Sequence, residues 1–213
     1  KLEQTVRSKA AHGVQVINVE HWLKPNRVEK ISAFLRALWL PTRVLTRNAN
    51  PEEATVLFTS GSSGTPKGVV LSPENILANC LQVKDCAALR SNDRILANLP
   101  PFHSFGYTMG CWMPLISGHT LITTPNPLDT KTTSTAIEEE SATLFLATPT
   151  FLRAYVKKTE ASALRSLRAV IAGAERLPES LRAAWETKFD SEILLGYGMT
   201  EASPVISLNV SDP

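Results

Sequence analysis

Apolar residues recur along this chain with two periods, one near two and one between three and four, and these predict strands and helices in alternation. Val14 to Val19 (VQVINV), Ala54 to Phe58 (ATVLF) and Gly68 to Leu71 (GVVL) are short β-branched runs that read as strands. Pro25 to Leu40 sets Val28, Ile31, Phe34, Leu35, Leu38 and Trp39 at three- and four-residue steps, the stripe of an amphipathic helix, and Pro41 ends it. Ala49 to Glu53 is a polar connector. Ser72 before Pro73 is an N-cap with proline at the first helical position, so a helix opens there. Beyond residue 90 the pattern is regular. Strands are expected at Arg94 to Leu99, Thr120 to Thr124, Thr143 to Ala147, Arg168 to Ala172 and Glu192 to Leu195, starting about 25 residues apart. Helix-like segments fill the gaps, most clearly Pro178 to Phe189, with Leu181, Ala184, Trp185 and Phe189 on one face.

This alternation predicts an α/β fold of mostly parallel sheets covered by helices, right-handed at each crossover. Ligands of such sheets bind outside the carboxyl ends of the strands. Four unusual segments fall at those ends: the Gly/Ser loop after Phe58, Pro101-Phe102-His103-Ser104-Phe105-Gly106, Gly173-Ala174-Glu175, and Gly196-Tyr197-Gly198-Met199-Thr200-Glu201.

Composition narrows the class. The chain has 213 residues, 43% hydrophobic and 20% charged, which excludes a disordered or fibrous protein and suffices for a core without disulfides or a metal. No run of about 18 apolar residues is present. The net charge of +2 is uneven: residues 1–50 carry nine Lys or Arg against three acids, the remainder 13 against 17. Such a basic face is either neutralised by other parts of the protein or meets something anionic, a lipid headgroup or an acidic partner. No dense Arg/Lys block with interleaved aromatics points to nucleic acid. Cys80, Cys86 and Cys111 form no C-x-x-C pair and sit in apolar contexts, so burial and a reducing compartment are expected. His12, His21, His103 and His119 show no zinc-binding spacing. The chain opens with Lys1 and no signal peptide, and reads as a piece of a longer protein.

Thr59-Ser60-Gly61-Ser62-Ser63-Gly64-Thr65-Pro66-Lys67-Gly68 carries the first candidate chemistry. Its glycines let the backbone turn tightly and present N–H groups to an anion. The hydroxyls of Ser60, Ser62, Ser63 and Thr65 can donate to phosphate oxygens, and Lys67 adds positive charge. Two β-runs bracket it, so it reads as a phosphate cradle rather than a linker. A Walker A loop has the same Gly61-to-Lys67 offset, but Pro66 and Gly68 stand where it needs Gly and Ser/Thr, which counts against a P-loop kinase or NTPase.

TSGSSGTPKGV resembles the signature loop of the adenylate-forming superfamily: acyl-CoA synthetases, acyl-carrier-protein synthetases, peptide-synthetase adenylation domains and luciferases. GYGMTE follows in that family's order, 129 residues after Lys67 at Gly196. VLFTSGSSGTPKGVVLSPENILAN, LPPFHSFGYTMGCWMPLISG and GYGMTEASPVIS are similar to the acyl-acyl-carrier-protein synthetase half of the bifunctional 2-acylglycerophosphoethanolamine acyltransferases, and the likeness covers essentially the whole chain.

The resemblance implies a two-step, ATP-dependent reaction. A fatty acid carboxylate gives acyl-adenylate and pyrophosphate, and a thiol on acyl carrier protein or coenzyme A then takes the acyl group. It implies that the loop Thr59 to Thr65 and Lys67 hold the β- and γ-phosphates. It places Tyr197, between Gly196 and Gly198, against adenine, Thr200 on the α-phosphate and Glu201 on Mg²⁺. Gly173, Ala174 and Glu175 would line the adenine pocket through their backbone, although a plain strand-ending turn fits the same residues. His103 would lie near the substrate carboxylate. Tyr107, Met109, Trp112 and Met113 could line an acyl tunnel, or be core. Residues 1–90 would end a first α/β subdomain and residues 91–213 form a second. The family's Thr-Gly-Asp ribose motif, its hinge and the C-terminal domain with the adenylation Lys are absent from this chain, so the piece alone is expected to be inactive. A cytoplasmic, peripheral membrane location is compatible with the basic lead-in. Activation of another carboxylic acid and a non-catalytic nucleotide-binding module remain open alternatives.

Overall fold

Asn26 begins the first described helix. Its Oδ1 accepts from the Glu29 amide at 2.8 Å while Glu29 Oε2 accepts from the Asn26 amide at 2.8 Å, a reciprocal cap for α1 (Arg27–Trp39). The computed structural model describes residues 26–39, 52–59 and 66–210. The expected strand Val14–Val19, the stop at Pro41 and the loop residues Ser60, Gly61, Ser62, Ser63, Gly64 and Thr65 lie outside the described residues. The chain divides into two compact units, Lys1–Ala49, which contains α1, and Asn50–Pro213.

In the second unit the two runs that bracket the Gly/Ser loop form an antiparallel hairpin, β1 (Thr55–Thr59) and β2 (Lys67–Leu71), with Thr59 opposite Lys67. Leu57 and Leu71 point into the core. Ser72 caps α2 (Pro73–Cys86) as the sequence predicts: its Oγ accepts from the Asn75 amide at 3.1 Å and Asn75 Oδ1 accepts from the Ser72 amide at 3.0 Å.

The main sheet contains β3 (Arg94–Ala97), β4 (Thr120–Ile122), β5 (Leu144–Ala147), β6 (Ala169–Ala172), β7 (Glu192–Gly198) and β8 (Val205–Leu208), in the order β4-β3-β5-β6-β7-β8. The first five are parallel, as expected, and β8 adds an antiparallel edge. Alternate side chains of the parallel strands enter opposite cores. Ile95, Leu144, Leu146, Ile171 and Leu194 pack with α2, whereas Leu96, Phe145, Val170 and Ile193 face the other way. On that second face lie α4 (Thr130–Glu139), α5 (Pro149–Lys158) and α6 (Glu179–Phe189), with Trp185 fully buried.

Three expectations change. The strand expected to end at Leu195 continues through glycine-rich Gly196–Gly198, because β8 supplies partners: Gly196 opposes Leu208 and Tyr197 opposes Ser207. Ala184 is exposed, since the buried stripe of α6 is Leu181, Trp185 and Phe189 at four-residue steps. Cys80 is buried and its thiol pushed up to about 11 by burial, but Cys86, at the last turn of α2, is exposed and Cys111 half-buried. Among the described residues no helix is long and apolar enough to cross a membrane.

Candidate active site

The carboxyl ends of β3, β5, β6 and β7 meet along one edge, and three of the four unusual segments lie there, at the ends of β3, β6 and β7; the Gly/Ser loop instead follows β1 of the separate antiparallel hairpin. After β3 the chain reaches a π-helix, Phe105–Trp112, followed by α3 (Met113–Ser117). Gly106 is obligatory at that entry: a Cβ there would lie 2.1 Å from the Pro100 carbonyl oxygen. The close approach fixes His103, whose amide donates to the same Pro100 carbonyl at 3.1 Å. The Phe105 amide donates to His103 Nδ1 at 3.3 Å, which makes Nδ1 the acceptor and leaves the proton on Nε2. Neighbouring Ser104 is buried, and its hydroxyl lies 3.3 Å from that of Thr200, 96 residues later.

Thr200 and Glu201 open the short 3₁₀ turn Thr200–Ala202 that follows β7, and β2 packs beside this turn. The hairpin that carries Thr59 and Lys67 thus reaches the turn of Thr200 and Glu201 through β2. Lys67 is exposed and Thr59 half-buried. Gly198 has a structural need of its own: a Cβ there would sit 2.3 Å from the Pro204 carbonyl oxygen, where β7 and β8 draw together.

Two cavities share this edge. One, of about 150 Å³, is mostly apolar and takes His103, Ser104, Met109, Met113 and Thr200 into its lining. Among the described residues no acidic side chain lines it. The other, of about 750 Å³, is bounded by Glu175, Arg176, Leu195 and Asn209. Ala174, Gly196, Tyr197, Gly198 and Leu208 line both, so the tail of β7 is a common wall. Tyr197 is 64% exposed there, with its ring free to meet a flat ligand. Gly173 is buried and lines the apolar cavity, and Ala174 beside it adopts a left-handed conformation at φ 67°.

Met109 and Met113 therefore reach the cavity. Tyr107 and Trp112 instead meet each other edge to face, 6.2 Å apart. Pattern reading missed Ser104 and Asn79. Asn79 is a buried amide on the apolar stripe of α2, and it pairs both backbone groups of Val205 like an added strand, at 2.8 and 3.1 Å. The signal for it was one polar residue on an otherwise apolar face.

Glu201 is exposed and its carboxylate makes no hydrogen bond or ion pair among the described residues. Both oxygens are thus free for a hard cation. A single carboxylate completed by substrate phosphates is the usual way a protein holds Mg²⁺, so the residue fits that ion.

Residues 3–213 match the family of AMP-binding enzymes, and the chain belongs to that family. It is 33% identical to a feruloyl-CoA synthase of Amycolatopsis sp over 151 residues, 70% of this chain and 30% of that protein. It is 31% identical to a long-chain-fatty-acid–CoA ligase of Bacillus subtilis (strain 168) over 163 residues, 73% of this chain and 28% of that protein. The chain thus spans 30% or less of these curated relatives. Among solved structures, the inhibitor-bound N-terminal domain of FACL13 from Mycobacterium tuberculosis is similar with a TM-score of 0.67 at 28% identity, over 74% of this chain and 39% of that one. ATP-bound MatB from Rhodopseudomonas palustris is similar with a TM-score of 0.69 at 25% identity, over 78% of this chain and 33% of that one.

Proposed function

We propose that this chain is the phosphate- and adenine-binding part of an AMP-forming acid–thiol ligase that activates a fatty acid and passes it to acyl carrier protein or coenzyme A. One observation carries the reading: the tail of β7 separates an apolar cavity from a larger open one, with His103, Ser104 and Thr200 on the apolar side. An apolar acid in the first and a nucleotide in the second would meet across Gly196–Gly198. A carboxylate oxygen then attacks the α-phosphorus and the bond to pyrophosphate breaks. In the second step a thiol attacks the acyl carbon and AMP departs with the bonding electrons.

The first step brings two anions together, so fixed positive charge and donors supply most of its acceleration. Thr59, Ser60, Gly61, Ser62, Ser63, Gly64, Thr65 and Lys67 would hold the β- and γ-phosphates. Thr200 would donate to the α-phosphate, and the Nε2 proton of His103 would meet the carboxylate or the developing charge. Tyr197 would stack on adenine beside Gly173, Ala174 and Glu175. Glu201 would hold Mg²⁺, which neutralises phosphate charge when bound. Within this reading residues 1–90 and 91–213 are two subdomains. The similarity to acyl-acyl-carrier-protein synthetases supports a role in phospholipid acyl recycling, and the basic first 50 residues support contact with the cytoplasmic face of a membrane.

A second reading has a specific observation behind it. A cavity of about 150 Å³ is the size that holds a benzene ring, and a feruloyl-CoA synthase is among the relatives, so an aryl acid is the alternative substrate.

The test is Glu201→Gln in the full-length protein, read by Mg²⁺-dependent ATP–pyrophosphate exchange. A ligase loses at least tenfold in exchange. Full exchange in the variant would remove Glu201 from the metal site and undercut the reading.

A further inference from the structure

Glu175 lies in the nucleotide-facing segment, yet its carboxylate is engaged elsewhere. Oε2 accepts from the Thr150 amide at 3.0 Å and from the Thr150 hydroxyl at 2.7 Å. Thr150 is the second residue of α5, and the first turn of that helix can be accounted for donor by donor. Pro149 has no N–H. The Phe151 amide donates to its N-cap, Thr148 Oγ1, at 3.5 Å, and the Leu152 amide donates to the Thr148 carbonyl at 3.1 Å. The Thr150 amide is the remaining first-turn donor, and Glu175 satisfies it with a negative charge at the positive end of the helix. Next to Glu175 stands Ala174, held at φ 67°, where residues with a Cβ are disfavoured. On its other side Gly173 is tied to the end of β5, its amide donating to the Ala147 carbonyl at 3.3 Å.

We infer that Glu175 is a positioning residue: its carboxylate clamps the Gly173–Glu175 segment to the first turn of α5 and so holds the wall against which the base of a nucleotide lies. The inference rests on the nucleotide reading above. Ala174 faces both cavities, and Glu175 and Arg176 border the larger one, so relaxation of Ala174 would reshape the space for a base directly. Glu175 and Thr150 are both exposed, which makes their bond a small contributor to global stability and a local determinant of loop geometry. Glutamine at 175 keeps a carbonyl acceptor for both Thr150 donors, whereas alanine keeps none.

The experiment measures dissociation constants for Mg·ATP and for inorganic tripolyphosphate, which has no base, in the full-length protein and in Glu175→Ala, Glu175→Gln, Thr150→Val and the Glu175→Ala/Thr150→Val double variant. Glu175→Ala should weaken ATP by about fivefold, the scale of one hydrogen-bonded contact, and leave tripolyphosphate and Tm unchanged. Glu175→Gln should stay near wild type. Thr150→Val should weaken ATP less than Glu175→Ala, and the double variant should be no worse than Glu175→Ala, because the two residues act as one unit. Unchanged ATP binding in Glu175→Ala overturns the inference. So does equal weakening of ATP and tripolyphosphate with a lower Tm, which marks a merely structural role. A defect in Glu175→Gln as large as in Glu175→Ala, with Thr150→Val silent, also overturns it, because the carboxylate would then touch the ligand itself. Absence of ATP–pyrophosphate exchange in a protein that binds ATP with the expected pattern sinks the ligase reading and leaves the clamp standing. Absence of ATP binding in the wild type overturns both.

Discussion

Replacing Asp93 by Asn should destabilise the protein in a way that depends on pH. Asp93 is buried just before β3, at the edge of the sheet away from the candidate site. Arg168 grips its carboxylate with two donors, at 3.0 and 2.7 Å; the Thr143 hydroxyl donates at 2.7 Å and the Arg90 amide at 2.8 Å. These partners tie the amino ends of β3, β5 and β6 together. Burial acts to raise the Asp93 pKa, but the bonds from Arg168, Thr143 and Arg90 together with the Arg168 charge outweigh it and hold the group at about 2, against 3.8 for a free side chain. The difference corresponds to about 2 kcal/mol of stability at neutral pH. Because the folded pKa is the lower one, that contribution is present above the unfolded pKa and is lost as pH falls toward the folded one, about half of it by pH 3. Asn keeps the shape, removes the charge and leaves Arg168 unpaired, at a cost of about 3 kcal/mol. Urea unfolding at pH 7, 5, 4 and 3 should therefore show a wide gap between wild type and Asp93→Asn at pH 7 that narrows by about 1 kcal/mol by pH 3. A gap that stays constant from pH 7 to pH 3 would refute the reasoning, as would a variant as stable as wild type.

Two further substitutions probe the site. Gly106→Ala forces a Cβ against the Pro100 carbonyl, with backbone rather than a movable side chain on the other side. It should shift His103 and Ser104 by about 1 Å and cut ATP–pyrophosphate exchange by about 100-fold, whereas exchange at the wild-type rate would show that the strand exit tolerates the displacement. Met113→Ala opens the fully buried side of the apolar cavity. It should lower stability by about 2–5 kcal/mol and move the preferred acid toward longer chains in a competition assay, and an unchanged preference would show that Met113 does not limit chain length.

Local signals were enough for most of the fold. The five parallel strands are mostly apolar, and their starts follow the expected positions within a residue. Gly196–Gly198 was illegible as strand because its conformation comes from a partner, β8, whose own residues alternate little between buried and exposed. The π-helix was illegible because Gly106 is required by a contact with Pro100, not by its neighbours in sequence. In the candidate site, the glycine, hydroxyl and charged residues could be read as motifs. The pairings that orient them could not: Ser104 with Thr200, Asn79 with Val205 and Glu175 with Thr150 span 96, 126 and 25 residues, and no local pattern encodes them.

The most direct test of the central claim is ATP–pyrophosphate exchange by the full-length protein, with and without a long-chain fatty acid. The account predicts exchange that appears only when the acid is added. A folded protein that binds ATP but shows no exchange with fatty, aryl or amino acids would contradict it.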